Sequence, residues 1–144
     1  MANTYLLTAG QSGGVRNGQF SILTTATSTV PGAGASDIYQ DVFSTAQNAS
    51  GVGTVIVTAN VLSTAVLTFY QTSSPIANIN AGTAIWSVIA GLSGVTGQAA
   101  NVGTTAVITG PITAISYTIT TALAGNQANV VIHAGYPSGK PASY

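Results

Sequence analysis

The sequence has no cysteine and almost no charged residues. The absence of cysteine from all 144 residues excludes a disulfide scaffold, a thiol nucleophile and a thiolate metal site. Arg16 and Lys140 are the only basic residues, and Asp37 and Asp41 are the only acidic ones. Because duplex or genome binding needs several phosphate contacts, two basic residues exclude a role in neutralising nucleic acid. We therefore expect no nucleic-acid partner.

The shortage of charge also bears on how the surface is covered. Charged residues make up 3% of the chain, against about 25% in ordinary soluble domains. A folded monomer of this mass exposes roughly 6,800 Å², which leaves about 1,700 Å² for each charged residue. Interfaces of about 800 Å² per partner then fit almost anywhere without burying a charge. Since charge normally keeps copies of a protein apart, we expect neighbouring subunits to cover much of this surface. The alternative is a monomer kept in solution by its hydroxyl and amide side chains.

Long apolar runs are missing as well. Residues 1–8 lack the basic region and the apolar core of a secretory signal. The longest apolar candidate, residues 84–95, is shorter than the ~20 residues that a membrane span needs, and it contains Ser87, Gly91, Ser93 and Gly94. We expect no membrane partner and assembly in a cytoplasm.

Alternating β-branched residues dominate what is present. Residues 110–132 give the clearest pattern, two β-rich runs on either side of Gly125-Asn126, which predicts a hairpin. Further strands are predicted over residues 19–30, 54–59, 65–71, 84–90 and 104–109. Residues 37–47 fit a strand or a short helix capped by Ser36, and we favour the strand. Residues 76–82 are predicted as a loop or short edge segment, and residues 91–103 as a long exposed loop.

Seven or eight strands at a spacing of about ten residues predict an all-β fold, an antiparallel β-sandwich of jelly-roll or immunoglobulin-like type. We expect the sandwich to occupy residues 19–134. Residues 1–18 are predicted to be an N-terminal arm and residues 135–144 a C-terminal tail, both extended. The residues that we expect to mediate assembly through these arms are Tyr5, Leu6, Leu7, Arg16, Tyr136, Lys140 and Tyr144.

The two acids allow two kinds of site. Asp37 and Asp41 are four residues apart, so they share one face of a helix or of a strand. A pair of carboxylates can act as acid and base in glycoside hydrolysis. With backbone carbonyls of residues 32–36 the same pair is a candidate Ca²⁺ site. The simpler interpretation, which we favour, is that both acids are solvated and paired with Arg16 or Lys140.

Other candidates for chemistry are isolated. His133 has no second histidine, cysteine or nearby acid in sequence, so a packed or interface histidine is favoured over a base or metal ligand. The serines form no Gly-x-Ser-x-Gly elbow, and the glycine clusters lack the lysine of a phosphate loop. Asn48-Ala49-Ser50 matches a glycosylation sequon, which we take to be chance. Trp86, with Phe69 and Tyr70, is expected in the core instead of on a sugar-binding rim. We expect no enzyme, no cofactor and no metal.

The order of these segments resembles a known group of proteins. Residues 65–71 (AVLTFYQ), a polar turn at residues 72–74, residues 85–89 (IWSVI), a Gly-rich loop, residues 110–119 (GPITAISYTI) and residues 128–132 (ANVVI) follow one another. This layout, which covers residues 53–135, is similar to the small β-sandwich proteins of tailed-bacteriophage virions, in particular the head decoration or cement proteins. The resemblance implies homo-oligomers, trimers favoured, on the outer capsid surface, where they clamp the major capsid protein shell.

The composition and the resemblance together suggest two alternative functions. The first is a structural virion protein that stabilises a phage head shell through neutral, largely apolar and hydroxyl contacts. The second is a glycan-binding fibre or adhesin module, which predicts a cluster of exposed aromatic side chains on one rim.

Overall fold

The computed structural model describes residues 4–5, 15–22, 26–33, 36–39, 54–62, 65–109, 112–121 and 128–135. Its elements are β1 (Thr4–Tyr5), β2 (Val15–Ile22), β3 (Ile38–Tyr39), β4 (Thr54–Val61), β5 (Val66–Thr72), α1 (Ile76–Ala81), β6 (Ser87–Val88), β7 (Val95–Thr96), β8 (Thr104–Thr109), β9 (Ala114–Thr121) and β10 (Ala128–Gly135). No helix of the described residues has both the length and the apolar character to cross a membrane.

The strands form two sheets, and the predicted all-β antiparallel sandwich is confirmed. The six-stranded sheet has the order β1-β3-β9-β5-β6, with β7 also paired to β5, and the four-stranded sheet has the order β2-β10-β4-β8. Every strand pair is antiparallel except β1 with β3.

The connectivity selects the jelly roll from the two predicted alternatives. From β2 onward the chain crosses between the sheets at every step except from β5 to β6 and from β6 to β7. Strands β2, β4, β8 and β10 lie in the four-stranded sheet, and β3, β5, β6, β7 and β9 lie in the other. Long crossings between two packed sheets, with first and last strands side by side, are the double Greek key of a jelly roll.

The core lies between the sheets. Inward-facing residues alternate along each strand, as the period of two requires. Examples that are fully buried are Val55, Val57 and Ala59 of β4, Leu67 and Phe69 of β5, Tyr117 and Ile119 of β9, and Val130 and Ile132 of β10. A second, smaller cluster joins Ile38, Ile79 and Ala114, with Ala84 and Trp86 packed against it.

Strand β9 differs from the others because both of its faces are buried from Ala114 to Ile119. The inner face contributes Ile115, Tyr117 and Ile119 to the core. The outer face is covered by the segment before β3, which forms a bridge from Ser28 to Ile119 and donates Gly32 N–H to Ser116 Oγ at 2.8 Å. The six-stranded sheet is therefore covered on both sides at its centre.

The predicted hairpin is wrong, although both of its strands form. Strand β9 lies in the six-stranded sheet between β3 and β5, and β10 lies in the four-stranded sheet between β2 and β4. The connection, residues 122–127, lies outside the described residues. A Gly-Asn pair between two β-rich runs permits a tight turn, but it does not specify pairing. Here the partners that bury both faces of β9 are distant in sequence.

Two predicted loops contain ordered elements. Within residues 76–82, Ile76–Ala81 form helix α1, which is preceded by Pro75 and ended by Gly82 in the left-handed conformation at φ 75°, the usual role of glycine at a helix C-terminus. In residues 91–103, Leu92 and Val95 are buried in the core, because β7 pairs with β5. Apolar residues separated by glycines therefore anchor this segment, and it is not wholly exposed.

Three strand boundaries also differ from prediction. Strand β2 begins at Val15 and ends at Ile22 instead of spanning residues 19–30. In the stretch from 37 to 47 the described strand is limited to Ile38–Tyr39, and residues 40–47 lie outside the description. Around Trp86 only Ser87–Val88 is strand. Residues 26–33 form bends, a turn and a bridge from Ser28 to Ile119 instead of a continuing strand, and residues 83–86 have no regular secondary structure.

The sheets extend into both predicted arms. Val15 pairs with Gly135 and Gly18 with Ile132, so the end of the first arm and the start of the tail belong to the four-stranded sheet. Thr4–Tyr5 pairs with β3. The other arm residues, 1–3, 6–14 and 136–144, lie outside the described residues.

Candidate functional site

The outer face of the four-stranded sheet is the candidate functional surface. It consists of the described residues of β2, β4, β8 and β10 that alternate with the core residues: Ser21, Ile56, Thr58, Asn60, Thr105, Val107, Asn129 and Val131. None of these side chains carries a charge. We call this set the neutral face.

The apolar part of the neutral face is a cross-strand pair. Ile56 lies directly opposite Val107 in the β4–β8 register, and the two side chains are 39% and 64% exposed. Val131 is half-buried on β10, opposite Thr58. When a partner removes such β-branched side chains from water, the complex is stabilised by about 25 cal/mol per Å² of apolar area buried.

The polar part of the neutral face is largely bonded to itself. Thr58 and Thr105 share a hydrogen bond of 2.8 Å between their hydroxyls, and Ser21 Oγ donates to Asn129 Oδ1 at 2.8 Å. Asn60 Nδ2 donates to the carbonyls of Ala99 and Val102 at 3.0 and 2.6 Å. Because these groups already have partners, a protein that covers the neutral face leaves few hydrogen-bond donors or acceptors unsatisfied.

A shallow depression of about 270 Å³ lies on the neutral face, lined by Thr58, Asn60, Asn101, Gly103, Asn129 and Val131. Its lining is amide, hydroxyl and methyl, with no titratable group. Such a surface can make van der Waals contact and neutral hydrogen bonds, and its lining holds no acid or base that would activate the Thr58 hydroxyl as a nucleophile.

A second cleft lies near the end of β5. It has a volume of about 350 Å³ and is lined by Gln71, Thr72, Ser73, Ser74, Ile85, Ser87 and Ile112. Gln71 Oε1 is buried there without a hydrogen-bond partner in the described structure, whereas Thr72 Oγ1 donates to Ile85 O at 2.7 Å. The lining has hydroxyl and amide groups that could form hydrogen bonds with a ligand, but neither a charged nor an aromatic side chain.

Asp37 has a structural role in this fold. Its side chain is half-buried, and Tyr117 donates its hydroxyl to Asp37 Oδ2 at 3.0 Å. Ser116 Oγ donates to the Asp37 carbonyl at 2.7 Å. Asp37 is therefore only partly solvated, and β9 supplies the hydrogen-bond partner that the structure describes for its carboxylate. Asp41 lies outside the described residues, so the predicted Asp37–Asp41 pair is not described. No group of three or more potential metal ligands occurs in the described part of the chain.

The residues predicted to mediate assembly are only partly placed. Tyr5 lies on β1, paired with Tyr39, and Arg16 lies on β2, opposite Ala134. Leu6, Leu7, Tyr136, Lys140 and Tyr144 lie outside the described residues. His133 lies on β10, between Asn17 of β2 and Ile56 of β4 in register. The structure thus gives backbone positions for two of the predicted assembly residues, Tyr5 and Arg16, on different sheets, and it brings none of the set into one described cluster.

The aromatic side chains that the structure describes are not arranged as an exposed rim. Phe69 and Tyr117 are fully buried and their ring centroids lie 6.2 Å apart. Tyr70 and Trp86 are half-buried. Trp86 packs against the smaller cluster on the outer side of the six-stranded sheet, not in the core between the sheets where the sequence predicted it. The physical reason is that residues 83–86 directly follow helix α1, and Ile79 of that helix belongs to the same cluster.

Sequence reasoning did not find the neutral face. The alternation in residues 54–61 and 104–109 separates two sets of residues on each strand, but both sets contain β-branched residues. Hydrophobicity alone does not show that Val55 and Val57 face inward while Ile56 faces outward. The usable signal was the higher threonine and asparagine content of the outward set.

Comparison with known proteins adds no assignment: no protein-family model, curated protein or solved structure matches the chain. Fold, surface chemistry and composition therefore carry the functional argument.

Proposed function

We propose that this protein is a structural virion protein, a capsid decoration subunit that binds the outer surface of a phage head shell. The single observation that carries the proposal is the neutral face, which includes the exposed Ile56–Val107 pair and has no charge on any of the side chains that the structure describes there. A jelly-roll sandwich supports it, because this architecture occurs in viral capsid proteins, although it also occurs in lectins and cupins.

The physical mechanism follows from the chemistry of that face. Covering it removes apolar area from water and requires no desolvation of ions. Its self-bonded amides and hydroxyls give up little hydration when covered. The shell contact is therefore neutral, and the copies act by bridging neighbouring capsid subunits instead of by catalysis.

The test is co-sedimentation of the purified protein with empty shells of a major capsid protein encoded in the same genome. We expect the protein to sediment with the shells equally well at about 50 and about 500 mM salt, since screening affects only charged contacts. No co-sedimentation at either salt concentration would overturn the decoration role. Binding that fell steeply with salt would overturn the neutral mechanism.

A matched pair of variants locates the contact. Ile56→Asp places a carboxylate on the neutral face, and burying that charge is costly, so shell binding should fall at least about tenfold. Ile85→Asp makes the same change at an isoleucine that is 79% exposed elsewhere, and it should bind like the unaltered protein. Equal binding by the two variants would show that another surface meets the shell.

A further inference from the structure

Strand β8 is an unprotected edge of the four-stranded sheet. Among the strands that the structure describes, its one partner is β4. The pairing runs through six consecutive residue pairs from Thr54–Thr109 to Ala59–Thr104 with no bulge. Thr105 and Val107 are exposed, and Ala106 and Ile108 are buried towards the core. The other side of β8 therefore has backbone groups that are available to a further strand.

The sequence of β8 lacks the devices that usually block such pairing. Proteins protect an edge with lysine or another charge, with proline, with a bulge or with a very short strand. Strand β8 reads Thr-Thr-Ala-Val-Ile-Thr, so five of its six residues are β-branched and none is charged or proline. β-Branched residues favour the extended conformation that pairing needs. This edge is suited to accept another strand.

We propose that β8 pairs antiparallel with β8 of a second copy of this chain, which joins two four-stranded sheets into one of eight strands. This proposal deepens the assembly role given above and rests on it. A second copy is favoured because an uncharged edge does not repel its own copy. The other edge of the same sheet, β2, includes Arg16 and Gly18, and glycine within a strand weakens pairing.

The alternation of side chains restricts the register of this pairing. The two neutral faces must lie on the same side of the joined sheet, and a slip of one residue would reverse one of them. A twofold axis at Val107 satisfies this condition and places Val107 opposite Val107 and Ala106 opposite Ile108. The next permitted register, centred on Ala106, opposes Val107 to Thr105 and Ile108 to Thr104. The first register matches apolar with apolar residues, so we infer the axis at Val107.

The size of the contact sets its strength. Five paired residues extend over roughly 17 Å, and a contact this short buries less than the ~800 Å² per partner of a standard stable interface. The isolated pair is therefore weak and concentration-dependent in solution. A shell that holds many copies close together raises their effective concentration and makes the pairing persistent.

Cross-linking tests the pairing directly, because the chain has no cysteine of its own. Val107→Cys places two thiols opposite each other across the axis, within the separation that a disulfide spans. Val102→Cys is the control, at a valine that is 55% exposed but lies before the strand. Under mild oxidation we expect at least roughly tenfold more disulfide-linked dimer from Val107→Cys than from Val102→Cys. Equal yields would overturn the register.

A charge at the same position gives an independent readout. Val107→Lys opposes two lysines across the axis, which is destabilising, so sedimentation at rising protein concentration should show a monomer where the unaltered protein and Val102→Lys associate. Association by Val107→Lys equal to that of Val102→Lys would overturn β8 pairing. Both experiments are done without shells. Failed cross-linking with intact shell binding thus rejects the edge contact alone, and failed shell binding by the unaltered protein rejects the decoration role.

Discussion

At the scale of single residues, Asp37 shows how a rare charge is used. It is the one charged side chain among those that the structure describes, and it is neither paired with a base nor fully solvated there. Its carboxylate accepts the hydroxyl of Tyr117, a residue with no exposed surface. The hydrogen bond ties the segment before β3 to the centre of the six-stranded sheet. A buried tyrosine hydroxyl needs such a partner, so the acid serves the fold.

The first prediction concerns this hydrogen bond. Tyr117→Phe removes the hydroxyl and should lower the free energy of unfolding by about 1–2 kcal/mol, since bonds to charged acceptors are the stronger ones but Asp37 remains partly hydrated. Urea titration measures the change. Tyr70→Phe is the matched control, because the Tyr70 hydroxyl has no hydrogen bond within the described structure, and it should shift stability by less than about 0.5 kcal/mol. Equal effects would show that the Asp37 contact contributes nothing.

At the scale of elements, residues 26–33 and 36–38 show why β9 is buried on both faces. Ser36 Oγ donates to Ser28 Oγ at 2.6 Å, and Ser28 Oγ donates to the Ala33 carbonyl at 2.9 Å. Gly32 turns the chain at φ 73°. A Cβ atom added to Gly32 would lie 3.2 Å from side-chain atoms of both Ile38 and Trp86. A compact turn held by serine hydroxyls thus covers the outer side of the sheet.

A second prediction compares two of the left-handed glycines, Gly32 and Gly82. Gly32→Ala should cost about 2–3 kcal/mol, because a left-handed alanine costs about 1–2 kcal/mol and the new methyl also presses on Ile38 and Trp86. Gly82→Ala has the same backbone conformation, φ 75°, with nothing within 4 Å of the added methyl, so only the smaller cost of about 1–2 kcal/mol applies. Thermal or urea unfolding of both variants gives the comparison. A larger loss for Gly82→Ala would mean that the turn around Gly32 is not closely packed.

Predictability from sequence also differs among the elements. Strands β4, β5, β8, β9 and β10 follow directly from alternation, because each contains a full period-two run of β-branched residues. Helix α1 was missed because six residues are too few to show a helical period, although Pro75 and Gly82 bound it. The β9–β10 hairpin was predicted wrongly because local turn residues carry no information about a partner strand far away in sequence.

At the scale of the whole molecule, the boundary between arm and sandwich has consequences for assembly. The strand β2 that pairs with β10 begins at Val15, so residues 15–18 belong to the sheet even though they are rich in turn-forming residues. Removing residues 1–18 would therefore damage the sandwich together with the predicted arm. The two effects have to be separated before any arm function is assigned.

The third prediction compares two deletions. Deletion of residues 1–14 keeps all of β2, whereas deletion of residues 1–18 removes four of its eight residues and their pairing with residues 132–135. We expect the longer deletion to cost about 2–4 kcal/mol more, from several backbone hydrogen bonds at roughly 1 kcal/mol each. Urea midpoints measure stability, and co-sedimentation of the shorter deletion with shells then tests residues 1–14, including β1, with β2 intact. Equal urea midpoints would place the true start of the sheet after residue 18.

The chemical character of this protein is visible in its residues alone: 144 residues with four charges and no cysteine, in period-two runs that specify strands. Those properties are local or summed over the chain, so they can be read without knowing which residues meet. The tertiary structure alone decided that β9 and β10 lie in different sheets and that Ile56 and Val107 face outward together. Strand pairing and facing depend on contacts between distant residues, and both sides of these strands carry similar β-branched side chains.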